Sequence, residues 1–256
     1  MGESFYESLG GGRYRSAQHT AGPWSADHQH MGPPTALLAR ELRSLPSAAP
    51  STLARITVEI LGPVPVAEVT VSAQVERPGR SVELLAGELS AGGRVVARAR
   101  AWRIVQSDSE AVSNLDVPPL ASPDTATPTP KRPEGWGPGY LDVLEWRALA
   151  GALGEFGAAT IWARQRIDLV AGETPTGLDR LFVVADSGNG VSNLLDPRQW
   201  HFINTELTVH IQREPVGDWI GLDAHTVIGA NGTGAAYSVL HDETGPLARG
   251  AQALLV

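Results

Sequence analysis

The sequence predicts an α+β fold in which two tandem copies of a long helix are each wrapped by a curved antiparallel sheet. Three observations lead to this prediction. β-rich segments of alternating polarity dominate the 256-residue chain, helical spacing occurs in two stretches, and the order of elements repeats. ITVEI (residues 56–60) matches LTVHI (207–211) at an offset of 151 positions, and residues 92–105 lie over residues 244–256 at the same offset. The chain therefore contains a duplicated unit.

In the first copy, a helix is predicted over residues 33–45, where PPTALLARELRSL has leucines at helical spacing and two prolines suited to a first turn. Four strands follow, at residues 53–61, 66–76, 80–89 and 94–105. The turn signals GPVP, RPG and SAGG separate them, which predicts an antiparallel meander. A sheet wrapped around the helix would bury its apolar stripe.

A proline-rich stretch separates the two copies. Residues 106–139 hold seven of the 19 prolines and lose all periodicity, which predicts a linker. The second copy has predicted strands at residues 140–146 and 158–169, a helix near 175–187, and strands at 202–212, 218–229, 234–242 and 246–256. The predicted units are therefore residues 1–105, the linker 106–139, and residues 140–256.

Composition excludes several classes of function. The absence of cysteine rules out disulfides, thiolate metal sites and a cysteine nucleophile. No stretch approaches the roughly 20 apolar residues of a membrane span, and the N-terminus lacks a secretory signal, so we expect a cytoplasmic protein without a membrane span. A formal charge of −8 argues against nucleic acid and anionic lipid as partners, since both require a clustered positive field.

Gln252 is out of place on its strand. Its face, read with a period of two, otherwise carries small and apolar residues, and the 151 offset places it over Ala101. Burying an amide without partners costs about 1 to 3 kcal/mol, so packing alone would not favour glutamine there. Gln252 is therefore either a functional residue or an amide satisfied by a neighbouring backbone group at the sheet edge.

Two further polar residues attract attention. The strand at residues 202–212 is predicted to turn one face toward the helix; that face holds Ile203, Thr205, Leu207, Val209 and Ile211. Asn204 lies on the opposite face, where it is either functional or simply solvated. Asp186 precedes SGNG near the end of the second helix, where the partial negative charge of the helix terminus raises a carboxyl pKa. It suits either a general base or a turn-forming residue.

The segments FVVADSGNGVSNLL, INTELTVHIQREPVGDW and GPLARGAQALLV, together with the duplication, resemble the double hot-dog acyl-CoA thioesterases, a family of type II thioesterases and their relatives. The resemblance implies a double hot-dog fold and a hydrolase of fatty acid metabolism that converts acyl-CoA to free acid and CoA, without metal or other cofactor. It implies a site in the second copy, since Gly32 alone remains of the glycine-rich lead into the first helix.

The family's water-activating residues are an Asp, a Thr or Ser, and a Gln. Asp186 and Gln252 match the first and last, whereas Asn204 stands at the hydroxyl position, with Thr205 and Glu206 as neighbouring candidates. The implied mechanism has Asp186 deprotonate a water held by the two amides, while backbone N–H groups at a helix N-terminus stabilise the oxyanion.

Three alternatives remain open. A hot-dog hydratase or dehydratase would use an Asp and His pair near the start of the long helix, but the second helix starts PTGLD with no histidine nearby. A non-catalytic protein could bind an acyl thioester or serve as a structural subunit. In HQH, His28 and His30, with His19 nearby, could bind a metal, although contacts at the helix entry are favoured. A homo-oligomer of double hot-dogs is also compatible with the sequence.

Overall fold

The computed structural model, which describes residues 2–129, 132–133 and 135–256, is an α+β protein built around one large sheet. The strands before the linker are β1 (Ser4–Gly10), β2 (Arg13–Ser16), β3 (Ala21–Gly22), β4 (Ser25–Gln29), β5 (Ser51–Ile60), β6 (Glu68–Arg77), β7 (Val82–Ala91) and β8 (Arg94–Val105). Those within and after it are β9 (Thr127–Pro128), β10 (Leu144–Ala150), β11 (Ala159–Gln165), β12 (Asp168–Val170), β13 (Ile203–Asn204), β14 (Glu206–Ile211), β15 (Trp219–Ile228), β16 (Thr233–Asp242) and β17 (Gly245–Leu255). The helices are α1 (Gly32–Ser44), α2 (Gly177–Ala185) and α3 (Gly188–Val191).

Strand order follows the predicted duplication. The large sheet runs β12-β1-β2-β6-β7-β8-β5-β14-β17-β16-β15-β11-β10-β9, with β13 also paired to β17, while β3 and β4 form a separate small sheet. Among the described strands only β1 and β12 pair in parallel. The predicted four-strand meander is wrong at its first strand, because β5 pairs with β8 instead of β6, and β14 likewise pairs with β17. Of these strands, only β6–β8 and β15–β17 are neighbours in chain order, and the two groups of four strands meet at β5 and β14.

The 151-residue repeat is also a repeat in strand register. Across the junction Thr57 lies opposite Thr208, its own counterpart, and the two hydroxyl oxygens are 3.0 Å apart. Thr57 pairs with Arg100 on its other side, and Thr208 pairs with Ala251, again 151 residues further on. An antiparallel ladder places a residue opposite its own counterpart where a local two-fold axis passes. The sequence match thus locates this axis between β5 and β14.

Both main helices pack into one continuous core. Contacts of α1 extend to β5, β6, β7, β8 and α2. The apolar residues of the two helices that are buried are Ala36, Leu37, Leu38, Ala39, Leu42, Leu178, Leu181, Phe182, Val183, Val184 and Ala185. Each fully buried large apolar side chain contributes roughly 1.5 to 3 kcal/mol, so this core fixes where the helix ends lie.

The second helix is shorter than the sequence predicts. Thr176 caps its start by accepting a hydrogen bond from the Asp179 backbone N–H. It ends after nine residues at Asp186, and the chain continues into the four-residue α3. The helix predicted near 175–187 is therefore two residues shorter at each end, and it ends at the residue expected to act as a base.

The predicted linker is packed against the second half of the chain. Leu120 and Ala126 pack with Trp162 and Trp219 in a small cluster, and the Trp162 indole N–H donates to the Ala121 carbonyl at 2.9 Å. Residues 130, 131 and 134 of this segment lie outside the described residues, as does residue 1 of the first predicted unit. No helix in the described part of the chain is long and apolar enough to cross a membrane.

Candidate active site

A cleft of about 570 Å³ opens where β3, β4 and the start of α1 face the chain that follows α2. Its walls are mostly apolar, and its largest apolar side chains include Trp24, Leu61, Trp136, Leu141, Leu153 and Phe202. Asp186 contributes a carboxylate to the wall, and none of the lining residues that the structure describes is a lysine or arginine. The cleft thus combines an apolar environment with one acidic group.

Asp186 is held in this wall at the C-terminal end of α2, with 4% of its surface exposed. Its Oδ1 accepts hydrogen bonds from Asn204 Nδ2 at 2.7 Å and Gln252 Nε2 at 3.4 Å. Burial raises the pKa of this carboxyl to about 7, against the opposing effect of those two bonds and of the Met31 backbone N–H. The sequence predicts a raised pKa for Asp186 because of the helix terminus; the pKa is raised, but the largest cause is burial.

A strand irregularity turns Asn204 toward Asp186. β13 pairs with β17 one position out of the register of β14, and the break falls at Thr205. A shift of one residue moves a side chain to the other face of a sheet. The prediction that Ile203 faces the helix is therefore wrong, since this residue is 52% exposed, as is the prediction for Thr205, which is also exposed. The remaining members of that face are buried as predicted: Leu207, Val209 and Ile211.

The first half of the chain repeats this irregularity and serves as an internal comparison. β5 shifts register against β8 between Leu53 and Arg55, the positions that correspond to Asn204 and Glu206. Leu53 is 2% exposed and belongs to the main core. The same backbone feature therefore directs a leucine into one half and an amide into the other, where it meets Asp186.

Gln252 is hydrogen-bonded to Asp186 and lies outside the cleft lining. The residue is 3% exposed, and its Nε2 also donates to the Asp186 main-chain carbonyl at 3.1 Å. Its Oε1 accepts the Asn189 backbone N–H at 2.9 Å, and a Cβ at Gly188 would lie only 2.8 Å from that oxygen. The counterpart Ala101 is fully buried and apolar. Gln252 does not line the cleft, so it holds the Asp186 turn rather than contacting a ligand there.

His30 joins the site from the first half, although the sequence predicts for it only a helix-entry contact or a metal ligand. Its ring is stacked on Tyr140 with centroids 3.8 Å apart, and its Nδ1 lies 3.5 Å from Asp186 Oδ2. Burial lowers the pKa of His30 to about 3, so the imidazole is neutral at neutral pH and forms no ion pair with Asp186. Nδ1 accepts the Gly32 N–H at 3.0 Å, which is a helix-entry contact of the kind that HQH suggested.

The histidines do not assemble a metal site. No group of three or more His, Asp or Glu side chains suited to a metal ion occurs within residues 2–129, 132–133 and 135–256. His19 instead lies 3.6 Å from Glu3. The pair of His30 with Asp186 could not be read from spacing, because the two residues are far apart in the sequence.

Comparison with known proteins assigns the family. Residues 20–104 match the acyl-CoA thioesterase N-terminal domain, and residues 123–256 match the acyl-CoA thioesterase C-terminal domain. The chain belongs to the acyl-CoA thioesterase family. Among curated proteins, none matches this thioesterase-family chain.

Solved structures share the fold of this acyl-CoA thioesterase-family chain at low sequence identity. A candidate thioesterase from Novosphingobium aromaticivorans is 18% identical, covers 98% of both chains and has a TM-score of 0.75. A hot-dog protein of unknown function from Alicyclobacillus acidocaldarius is 16% identical over 97% of this chain and 94% of its own, with a TM-score of 0.74. Acyl-CoA thioesterase II TesB2 from Mycobacterium marinum is 15% identical over 98% and 93%, with a TM-score of 0.65. These similarities support a hot-dog fold.

The two neighbouring candidates in this thioesterase-family chain do not contact Asp186. Thr205 lies at the cleft, but its hydroxyl donates to the Ala253 carbonyl at 3.2 Å. Glu206 accepts the Ala253 backbone N–H at 2.9 Å and the Thr208 hydroxyl at 2.9 Å. Of the predicted residues, the structure therefore brings together Asp186, Asn204 and Gln252 and leaves Thr205 and Glu206 outside the cluster.

Proposed function

We propose that the protein hydrolyses an acyl-CoA or similar thioester to free acid and thiol, with Asp186 as the general base. The main support is a buried carboxyl whose pKa is about 7, placed in the wall of a largely apolar cleft. A base with a pKa near the working pH is efficient because it is ionised often enough and still accepts a proton readily. An apolar cleft of this kind suits an acyl chain.

The proposed reaction starts at Asp186 Oδ2. Oδ1 is occupied by Asn204 and Gln252, whereas Oδ2 accepts no side-chain hydrogen bond from the described residues and can contact a water in the cleft. Asp186 removes a proton from this water as the water oxygen attacks the thioester carbonyl carbon. The tetrahedral intermediate then collapses, the carbon–sulfur bond breaks, and the departing thiolate receives the proton from Asp186.

Asn204 and Gln252 have different parts in this proposal. Asn204 lines the cleft and donates to Asp186, so it can orient both the carboxylate and the water. Gln252 acts on the carboxylate alone, as a positioning residue. We further propose two tandem hot-dogs, with residues 140–256 supplying the base and residues 1–105 part of the cleft wall. The cytoplasmic location and a homo-oligomeric state stay predictions from the sequence.

Thiol release from acyl-CoAs of increasing chain length, followed with a thiol-reactive dye, tests the proposal. We expect turnover by the wild type and a loss of at least 100-fold in Asp186→Asn, because the amide cannot accept the proton. Asp223→Asn serves as the matched control, since Asp223 is exposed on β15 and accepts a bond from Thr160 away from the cleft. The same rate for wild type and Asp186→Asn would rule out the assigned base.

A hydratase or dehydratase is the second candidate, and one observation favours it. The histidine that the sequence did not place beside the second helix is present in space, because His30 at the start of α1 lies 3.5 Å from Asp186. An enoyl-CoA offered to the protein distinguishes the two reactions. Loss of enoyl absorbance without thiol release would establish hydration and exclude the hydrolase, whereas binding without either change would indicate a non-catalytic acyl-thioester-binding protein.

A further inference from the structure

We propose that His30 stabilises the oxyanion by donating a hydrogen bond from Nε2–H to the thioester carbonyl oxygen. The inference rests on the proposed hydrolysis, in which negative charge develops on that oxygen. It makes His30 a catalytic residue supplied by the first half of the chain to a base supplied by the second half. Four features of the site lead to it.

First, the start of α1 offers few backbone donors. Pro33 and Pro34 occupy the first turn, and proline has no N–H. The next backbone N–H, from Thr35, donates to the Met31 carbonyl at 3.0 Å. The Met31 backbone N–H is hydrogen-bonded to Asp186 and favours the charged form of that carboxyl. A helix N-terminus usually presents several free N–H groups to an anion. At the start of α1 these groups are either absent, because of the prolines, or already hydrogen-bonded.

Second, the backbone donors just before the helix are also occupied. The His30 backbone N–H donates to the Thr20 carbonyl at 2.8 Å, and that of Gln29 donates to the Val64 carbonyl at 2.8 Å. The Gly32 N–H donates to His30 Nδ1. At the start of α1, the donor expected from a helix N-terminus therefore has to come from a side chain.

Third, the Gly32 bond fixes the tautomer of His30. Because Nδ1 accepts a hydrogen bond, the proton of the neutral ring is carried by Nε2, which makes Nε2 a donor. Burial keeps the pKa of this imidazole near 3, so it stays neutral while Asp186 titrates. A neutral imidazole is an established means of polarising a carbonyl group.

Fourth, the ring is held with Nε2 available to a ligand. Stacking on Tyr140 fixes its plane, and the Tyr140 hydroxyl is itself anchored to the Val183 carbonyl at 2.7 Å. The His30 side chain is 16% exposed and lines the cleft. Within the part of the chain that the structure describes, Nε2 has no hydrogen-bond acceptor and is not fully enclosed. A thioester attacked by the water at Asp186 can thus direct its carbonyl oxygen toward Nε2.

Three substitutions at His30 separate this role from a structural one. His30→Asn retains an oxygen that can accept the Gly32 N–H but removes the Nε2 donor. His30→Gln carries an amide donor that reaches the position of Nε2. His30→Phe keeps the stacking on Tyr140 and removes the donor, and it replaces His30→Asn should that variant not fold. His19→Asn is the control, because His19 lies outside the cleft lining.

Removing one oxyanion donor lowers kcat about 100- to 1,000-fold. We expect this loss in His30→Asn with little change in KM, because the bond forms mainly in the transition state. His30→Gln should retain at least ten times the rate of His30→Asn. The inference is overturned if His30→Asn stays within ten-fold of wild type, or if a folded His30→Gln is equally impaired. Wild-type protein without thiol release would instead refute the hydrolase, and this inference with it.

Discussion

The buried carboxyl of Asp186 should make the stability of the protein fall as the pH rises from about 4 to about 7. Its pKa is raised from 3.8 to about 7, chiefly by burial. Over this range the folded protein keeps a proton that the unfolded chain has already lost. The stabilising contribution is therefore complete below about pH 4 and is gone once the pH passes about 7. At about 1.4 kcal/mol per unit, the total change is about 4 kcal/mol.

The variant Asp186→Asn isolates this contribution, because asparagine does not ionise. We expect urea unfolding to show that the free energy of unfolding of the variant, relative to that of the wild type, is roughly 3 kcal/mol higher at pH 8 than at pH 5. The variant also disturbs the hydrogen bonds from Asn204 and Gln252, but that loss is common to both pH values. The change in the difference between the two proteins is thus the quantity to measure.

A difference between the two proteins that is the same at pH 5 and pH 8 would refute the reasoning. It would mean that Asp186 is ionised throughout this range and has an ordinary pKa. The pH dependence of the rate should report the same carboxyl, because Asp186 must be ionised to act as a base. We therefore expect kcat/KM to rise with pH and level off above about 7, while His30 does not titrate in this range.

Two further predictions concern the groups around the base. Gln252→Ala should lower kcat and reduce the free energy of unfolding by about 1 to 3 kcal/mol, since it leaves buried partners unpaired; Ala101→Gln, at the equivalent site, should not raise kcat in the same thiol-release assay. Asn204→Leu removes a bond that favours ionised Asp186, so the acid limb of the rate profile should move to higher pH. Thr205→Ala should leave that limb in place, and an equal shift in both variants would contradict the assignment.

Much of the fold could be predicted because it is encoded locally and encoded twice. Alternating polarity marks each strand, and the 151-residue offset relates the two groups of four strands, so the pairing of Thr57 with Thr208 follows once β5 and β14 are placed side by side. The same offset identified Gln252 as unusual against Ala101. Both residues are buried, so the difference between them is one of chemistry rather than of exposure.

The errors and omissions have a common physical origin. The predicted face of residues 202–212 was wrong at Ile203 because period-two alternation assumes an unbroken strand, and a register shift is set by the partner strand. The meander was wrong at its first strand because the pairing of β5 with β8 also depends on how whole strands pack. The second helix was predicted only two residues too long at each end, and it ends at Asp186, where SGNG signals a stop.

The sequence by itself determined the α+β class and the duplication, and through the family resemblance it proposed Asp186, Asn204 and Gln252 as site residues, because strand period, repeat and residue chemistry can be read along the chain. Only the tertiary structure decided which groups meet. The register shift directs Asn204 inward, burial rather than the helix terminus dominates the pKa of Asp186, and the packing of the two halves brings His30 to it. Distances between residues far apart in the chain depend on how whole elements pack, and no local pattern contains them.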